Sequence, residues 1–235
     1  MAKVARTKNF LRLRKMNHLK PSVQSHLKNV YGHLSLMFFI STVSSVLYFQ
    51  DLIPDLLSQF SIYGTVISFF GFHWSSKKYF WSLSFAAFKG ISLAPLLDYA
   101  SIQAGSIVPV ALASTCLVLI SFTASVLLTP STQYIKIGGF VGSLLTVTSL
   151  LSLVNLFVRS SSLFSLELYS GLVLFSLFLI HDTQSIIEKA EMGSRDFLLH
   201  SMELYSDVIA IFVRVVLILL RKEENESSKK KKKVY

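Results

Sequence analysis

Charged residues and cysteines are both scarce in this sequence. Only 15% of its 235 residues are charged, against roughly 25% in an ordinary soluble domain, so the composition disfavours a water-soluble protein. The single cysteine, Cys116, excludes an intramolecular disulfide and is expected to be a small buried hydrophobe. A cleavable signal peptide is not expected either, because the first apolar run begins only near Val30 and has no convincing cleavage site. We expect that run to be the first membrane span and its own targeting signal, with a transit peptide as the less favoured alternative.

Apolar residues dominate the interior of the sequence, and the net positive charge lies at its two ends. Hydrophobic residues make up 52% of the chain, and the mean hydropathy is +0.55. Residues 1–30 contain eight basic residues and no acidic one, and residues 221–235 contain seven basic and three acidic ones. The sequence therefore predicts a basic cytosolic segment at 1–30, a membrane helical bundle at 31–220 and a lysine-rich tail at 221–235. Nucleic-acid binding is disfavoured, because few aromatic residues are interleaved with these basic ones; the expected partner is the lipid bilayer.

Six apolar stretches are long enough to cross a bilayer, which takes about 20 mostly apolar residues in a helix. These candidate spans are Tyr31–Phe49, Leu52–Trp74, Phe80–Leu97, Ile107–Leu128, Tyr134–Val158 and Leu163–Ile180. The loops between them are too short to hold a soluble domain. The predicted fold is therefore all-α, a polytopic membrane bundle of six spans in which consecutive helices are antiparallel neighbours.

A seventh segment, Phe197–Leu220, is long enough to span but carries ionisable residues. At 100° per residue, four of them lie within an arc of about 60°, and Asp196 projects onto the same arc. The four are His200, Glu203, Asp207 and Arg214. Because an ionised side chain facing lipid tails costs at least about 2.5–3.5 kcal/mol, this arc is expected to face the bundle interior or a wet cavity. The alternative is an amphipathic helix on the membrane surface.

Lysine and arginine indicate the orientation. The basic N-terminal segment should be cytosolic, which places the loops at Lys77–Lys78 and Lys136 in the cytosol and the Asp51–Asp55 loop outside. Arg159 is the single exception. Seven complete spans would put the lysine-rich tail outside. Either the seventh segment is re-entrant and returns to the cytosol, or the tail is an exception to the positive-inside rule.

The run HDTQSIIEKAEMGSRDFLLHSMELYSDVIAIFVRVVLILL at 181–220 is the most distinctive stretch of the sequence. Weaker matches to the same pattern are HLKPSVQSHLKNVY before the first span, KGISLAP at 89–95, IKIGG at 135–139 and SLFSLELYSGL at 162–172. Together these stretches resemble the Bax inhibitor-1 family, also called the transmembrane Bax-inhibitor-motif proteins, and look closest to its plant members.

This resemblance implies an endoplasmic-reticulum membrane protein that suppresses programmed cell death under stress and lets calcium leak from the lumen. It also implies that Asp182 and Asp207 form a proton-sharing pair that gates the leak, and that cell-death regulators and calmodulin are partners. Neither a cofactor nor an enzymatic activity is expected, calcium being the permeant ion.

The chemistry of two membrane carboxylates fits such a role. Two carboxylates close together in a low dielectric cannot both ionise at low cost, so the pair should titrate as a unit and bias a bistable arrangement of helices. Ionised carboxylate oxygens are also the ligands that calcium prefers. The simpler interpretation is that Asp182 caps a helix end or meets the cytosol, and that Asp207 pairs with Arg214.

Other functions would use the same residues. An intramembrane aspartyl protease needs two aspartates, but its Gly-x-Gly-Asp context is absent here. A cation/proton exchanger would use the same two aspartates as a channel. A pure interaction protein would need neither aspartate. The six histidines show no metal-ligand spacing, so no metal site is expected.

Several positions depart from the resembled pattern. Ala94–Pro95 replaces a Gly-Pro pair, and residues 102–106 lack the usual acid and proline before the fourth span. Lys89, inside the third span, and Lys78 are possible counter-cations for a buried carboxylate. Near the C-terminus, Lys232 and Lys233 resemble a cytosolic dilysine retrieval signal, the alternative being a polybasic tail attracted to anionic lipid.

Overall fold

Helices account for nearly all of residues 20–128 and 138–234, which are the residues that the computed structural model describes. Within these ranges there is no β-strand, which confirms the all-α prediction. The eight helices are α1 (Pro21–Phe49), α2 (Asp55–Gln59), α3 (Ser61–Trp74), α4 (Lys78–Gln103), α5 (Ile107–Leu128), α6 (Gly138–Val158), α7 (Ser161–Glu191) and α8 (Phe197–Val234).

Five of the helices, α1, α4, α5, α6 and α7, are long and apolar enough to cross a membrane. The second predicted span is different, because the stretch Leu52–Trp74 is divided between α2 and α3. Pro54 precedes α2, and α3 has only 14 residues, a length of about 21 Å against the roughly 30 Å of a hydrocarbon core. This stretch is therefore not a single spanning helix, and the predicted count of six spans is not confirmed.

Two helices are longer than their apolar stretches. Helix α1 begins at Pro21, well before the predicted start of the span, with proline in the first turn, where its missing N–H is not needed. Helix α7 continues through the polar residues after Ile180 and stops only at Glu191. Gly193 ends it, because its φ of 96° lies in the left-handed region that glycine adopts without strain.

Helix α8 is the central helix of the bundle. It packs against α1, α4, α5 and α7, and apolar residues from most of its circumference are buried. These include Met202, Leu204, Tyr205, Val208, Ile209, Ile211, Phe212, Val216 and Leu220. The seventh segment therefore lies inside the bundle, as its polar arc predicted, and not on the membrane surface.

Small residues bring α1 and α4 into close contact. Ser41 Oγ donates to the Ala86 carbonyl at 2.8 Å, and Ser45 Oγ donates to the Gly90 carbonyl at 2.9 Å. A Cβ atom on Gly90 would lie only 2.3 Å from the Ser41 carbonyl oxygen, so glycine is required there. Tyr205 of α8 joins this contact through a 2.5 Å hydrogen bond between its hydroxyl and Ser41 Oγ.

The outer surface is apolar, as a lipid-facing surface must be. Helix α6 is the most peripheral of the five long apolar helices. It packs mainly on α7, and only 6% of the residues in its most apolar stretch are buried. Cys116 of α5 is exposed on this outer surface. The prediction that this cysteine is buried is wrong, because an apolar position on a membrane helix can face lipid instead of protein.

Candidate functional site

Helices α7 and α8 place Asp182 and Asp207 on one cavity. The turn between the two helices is short, so α8 returns beside α7, and the two helices pack along their lengths. The cavity has a volume of about 350 Å³, and both aspartates line it together with Glu203. Its remaining walls are mostly apolar: Phe69, His73, Leu145, Phe175, Phe178, Leu199, Met202 and Ser206.

The two aspartates differ in how much of each is enclosed. Asp207 is only 6% exposed, and its Oδ2 has no hydrogen-bond partner in the part of the chain that the structure describes. Asp182 is half-buried, and its Oδ1 lies 2.9 Å from Nδ1 of its neighbour His181. The two carboxyl groups interact electrostatically with each other. The structure thus brings the predicted pair together, while its role in gating stays a prediction.

Glu203 is the third carboxylate on the cavity. Its Oε2 lies 3.9 Å from Nζ of Lys189, near the end of α7. His73 contributes from α3, although its Nδ1 is engaged with the Phe69 carbonyl at 3.0 Å. The position of His73 on this cavity could not be predicted from the sequence, because only tertiary packing brings α3 to the cavity.

His200 belongs to the same helix but faces elsewhere. It is fully buried, and its Nδ1 lies 2.9 Å from Nε2 of His26 on α1. The residues of the polar arc of α8 therefore face two different parts of the bundle. Asp207 and Glu203 face the cavity, and His200 faces α1. Nothing in the spacing of the two histidines, 174 residues apart, could have predicted their contact.

Comparison with known proteins identifies the family. The model of the family described as "Inhibitor of apoptosis-promoting Bax1" matches residues 23–225. This chain belongs to the Bax inhibitor family. Its similarity to the "Bax inhibitor 1" of Sus scrofa is 35% identity over 216 residues, which is 89% of this chain and 91% of the relative. The "Bax inhibitor 1" of Homo sapiens is 32% identical over the same shares.

The plant relatives match to a similar degree. The "Bax inhibitor 1" of Arabidopsis thaliana is 32% identical over 217 residues, or 91% of this chain and 88% of the relative. The family membership predicted from the motifs is confirmed, but these identities do not favour plant over animal members. With its several long apolar helices, this Bax inhibitor family member is a multi-pass membrane protein.

Arg214 does not neutralise Asp207 in this family member. Its guanidinium lies over the Phe175 ring, with Cζ 4.3 Å from the ring centroid, and Nη1 donates to the Ala210 carbonyl at 3.1 Å. It also fills the space beside Gly171, where a Cβ would lie within 2.3 Å of Arg214 Nε. No ion pair between Arg214 and Asp207 is present in the described residues, so the simpler interpretation of Asp207 is not supported.

Asp196, in the turn between α7 and α8, forms an ion pair with Lys78 at the start of α4. Lys78 Nζ donates to Asp196 Oδ2 at 2.6 Å, and Asp196 Oδ1 accepts from the Leu199 N–H at 3.2 Å and so caps α8. Partial burial alone would raise the pKa of Asp196. The hydrogen bonds from Lys78 and Leu199 and the positive charge of Lys78 outweigh this effect and hold the pKa below its ordinary value.

The remaining predicted residues lie apart from the cavity. Lys89 is half-buried on α4 and forms no ion pair with any described carboxylate, so its suggested role as a counter-cation stays a prediction. Lys136 lies outside the described residues. The side chains of Lys232 and Lys233 are also outside them, although α8 continues to Val234.

Proposed function

We propose that this chain suppresses programmed cell death from the endoplasmic-reticulum membrane by providing a pH-sensitive calcium leak that Asp182 and Asp207 control. The observation that carries the proposal is the cavity between α7 and α8, on which three carboxylates meet inside a membrane bundle. Family membership supports the first part, since the family is described as an inhibitor of apoptosis-promoting Bax1.

The chemistry of the cavity suits a hard cation. Calcium prefers oxygen ligands and accepts irregular sets of them, and Asp182, Glu203 and Asp207 offer six carboxylate oxygens. The unpartnered Oδ2 of Asp207 is a buried acceptor, which is costly unless a proton or a cation satisfies it. We therefore expect either a proton or a cation to satisfy this oxygen at any one time.

Proton sharing supplies the pH dependence. Two interacting carboxylates in a poorly solvated cavity do not both ionise at low cost, so the protonation of one depends on the other. A change in their charge alters the interaction between α7 and α8 and thereby biases two arrangements of these helices. The family resemblance suggests more leak in acid.

Calcium flux from liposomes that hold the purified protein tests the proposal. We expect flux to vary steeply between about pH 5 and 8, whereas isolated aspartates titrate near 3.9. Asp182→Asn and Asp207→Asn keep the side-chain shape and should flatten the pH response. Glu203→Gln should change it less, because Glu203 already has Lys189 nearby.

Asp98→Asn is the matched control, since it removes an exposed carboxylate of α4 that does not line the cavity. Thermal stability is measured for every variant, so that lost flux is not confused with unfolding. Wild-type flux and pH dependence in both Asp182→Asn and Asp207→Asn would refute the gating role and favour an interaction protein. Flux that occurs only against an opposing proton gradient would indicate a cation/proton exchanger instead.

The location and partners complete the proposal. Lys232 and Lys233 are proposed to retain the protein in the endoplasmic reticulum from the cytosolic side. Cell-death regulators and calmodulin are the proposed protein partners. We propose neither a catalytic step nor a cofactor.

A further inference from the structure

A second cavity lies at the other end of α8 from the carboxylates. Its volume is about 770 Å³, and α4, the junction of α6 with α7, and α8 enclose it. Two arginines line it, Arg159 between α6 and α7 and Arg221 on α8. Leu96, Leu156 and Leu217 give it apolar walls. Fourteen residues of helix, or about 21 Å, separate Arg221 from Asp207, and the two cavities share no lining residue, so this cavity is distinct from the carboxylate cavity.

Neither arginine has a carboxylate partner in the described part of the chain. Arg221 Nη2 donates to the Ser161 carbonyl at 3.0 Å, and its guanidinium also contacts the hydroxyls of Ser161 and Ser165. These partners are all neutral. The Arg159 side chain forms no ion pair there, and it is exposed. Glu224, the one acid on the cavity, accepts from the Tyr99 hydroxyl at 3.1 Å.

The position of Arg159 is at the edge of the lipid-facing surface. Leu156, Phe157 and Val158, which precede it, are 67%, 83% and 60% exposed, and such side chains belong in hydrocarbon. The chain then reverses at Arg159 in a left-handed conformation with φ of 52°, and α7 begins at Ser161. The guanidinium group therefore lies where helices leave the hydrocarbon and lipid phosphates begin.

Arg159 and Arg221 lie at the same end of the bundle, because both line one cavity. Two cations without carboxylate partners, beside hydroxyl groups and apolar walls, are the groups that recognise an amphipathic anion. Guanidinium groups bind phosphate through paired hydrogen bonds.

We propose that this cavity binds the phosphate of a phospholipid, with Arg159 and Arg221 on the phosphate oxygens and the leucines against the start of the acyl chains. A cavity of this size is within the range of small-molecule sites, about 300–1,000 Å³. The occupant is a membrane lipid and not a free anion, because the exposed apolar residues before Arg159 open the site to the hydrocarbon. This site is independent of the carboxylate cavity and of the proposed leak.

Binding of dioleoyl phosphatidic acid to the full-length protein in detergent tests the proposal, with native mass spectrometry as the readout. Dioleoylglycerol has the same acyl chains without the phosphate and should bind at least tenfold more weakly. Arg159→Gln should weaken phosphatidic acid binding about tenfold, and the protein should remain folded because this side chain has no ion pair to lose. Arg221→Lys keeps the charge but not the paired donors and should weaken binding as well.

Lys222→Gln is the matched control, since Lys222 is the adjacent cation on α8 and does not line this cavity; its binding should equal that of the wild type. Equal binding of phosphatidic acid and dioleoylglycerol would overturn the proposal, as would wild-type binding by Arg159→Gln. Competition by inorganic phosphate at the lipid's own concentration would assign the site to a free anion and overturn the lipid assignment.

Discussion

The contact between α1 and α4 predicts a large effect for the smallest substitution at Gly90. In Gly90→Ala the new methyl carbon would lie 2.3 Å from the Ser41 carbonyl oxygen, whereas carbon atoms pack at about 3.5 Å or more. A backbone carbonyl group within a helix cannot rotate away from the methyl group as a flexible side chain can. The two helices must therefore separate by about 1 Å.

A separation of this size affects the hydrogen bonds that cross the contact. The Ser41–Ala86 and Ser45–Gly90 bonds, at 2.8 and 2.9 Å, would exceed the usual limit of about 3.2 Å. Each such bond contributes about 0.5–1.5 kcal/mol, and overpacking costs about 1–3 kcal/mol. Alanine favours a helix over glycine by about 1 kcal/mol. The free energy of unfolding should therefore fall by about 1–5 kcal/mol.

Thermal unfolding of the purified protein in detergent, followed by circular dichroism, measures this change. A decrease in Tm of about 2–20 °C corresponds to the expected destabilisation. Gly32→Ala is the matched control on α1, because a Cβ at Gly32 would meet nothing within 4 Å, and its Tm should stay the same or rise. A Gly90→Ala protein as stable as Gly32→Ala would refute the close approach of α1 and α4.

Three further outcomes are expected. Because the ion pair lowers the pKa of Asp196, its stabilisation is present above the unfolded pKa of about 3.9 and is lost as the pH falls through the folded value. Asp196→Asn, which can still cap α8, should therefore cost up to about 1 kcal/mol at pH 7, and its Tm should converge with that of the wild type in acid. Arg214→Gln should raise calcium flux by up to about two orders of magnitude, since a positive charge about 10 Å along α8 from Asp207 opposes a doubly charged cation there by about 3.3 kcal/mol at an effective dielectric constant of 20; unchanged flux would mean that Arg214 only packs on Phe175. Replacing Lys232 and Lys233 with alanine should send protein to later secretory compartments, as seen by microscopy, and an unchanged location would place retention in the spans.

The central position of α8 could be predicted because one physical rule dominates there. Helical periodicity puts Glu203 and Asp207 on one side of the helix, and ionisable groups at that depth cannot face lipid. The pairing of Asp207 with Asp182 came from the family resemblance and not from periodicity, and the short turn that returns α8 beside α7 makes it possible.

Helix boundaries were predicted less well, because a helix can extend beyond the apolar stretch that it contains. Residues before Tyr31 are polar enough to look like a tail, yet Val23, Leu27 and Val30 are buried there against the rest of the bundle. Tertiary packing, which the sequence does not display, extends α1 back to Pro21. In the second apolar stretch, apolar composition did not reveal that the helix is interrupted at Phe60, between α2 and α3.

The long-range polar pairs could not have been predicted from spacing. Lys78 and Asp196 are 118 residues apart, and neither has a neighbour in sequence that indicates the other. Lys78 looked like a candidate counter-cation for a buried carboxylate, and it instead pairs with the half-exposed capping residue of α8. Such partners are determined by how α4 and α8 are arranged in space.

The peripheral position of α6 divides the molecule into regions with different tolerance to mutation. Substitutions such as Leu150→Val or Leu153→Ile change an exposed side chain of α6 and keep its apolar character, so they disturb neither the bundle interior nor either cavity. The buried residues of α8 between Met202 and Leu220 have no such freedom, because that part of the helix packs against α1, α4, α5 and α7. Natural variation should therefore accumulate in α6 and its outer face, while α8 changes slowly and only together with its neighbours.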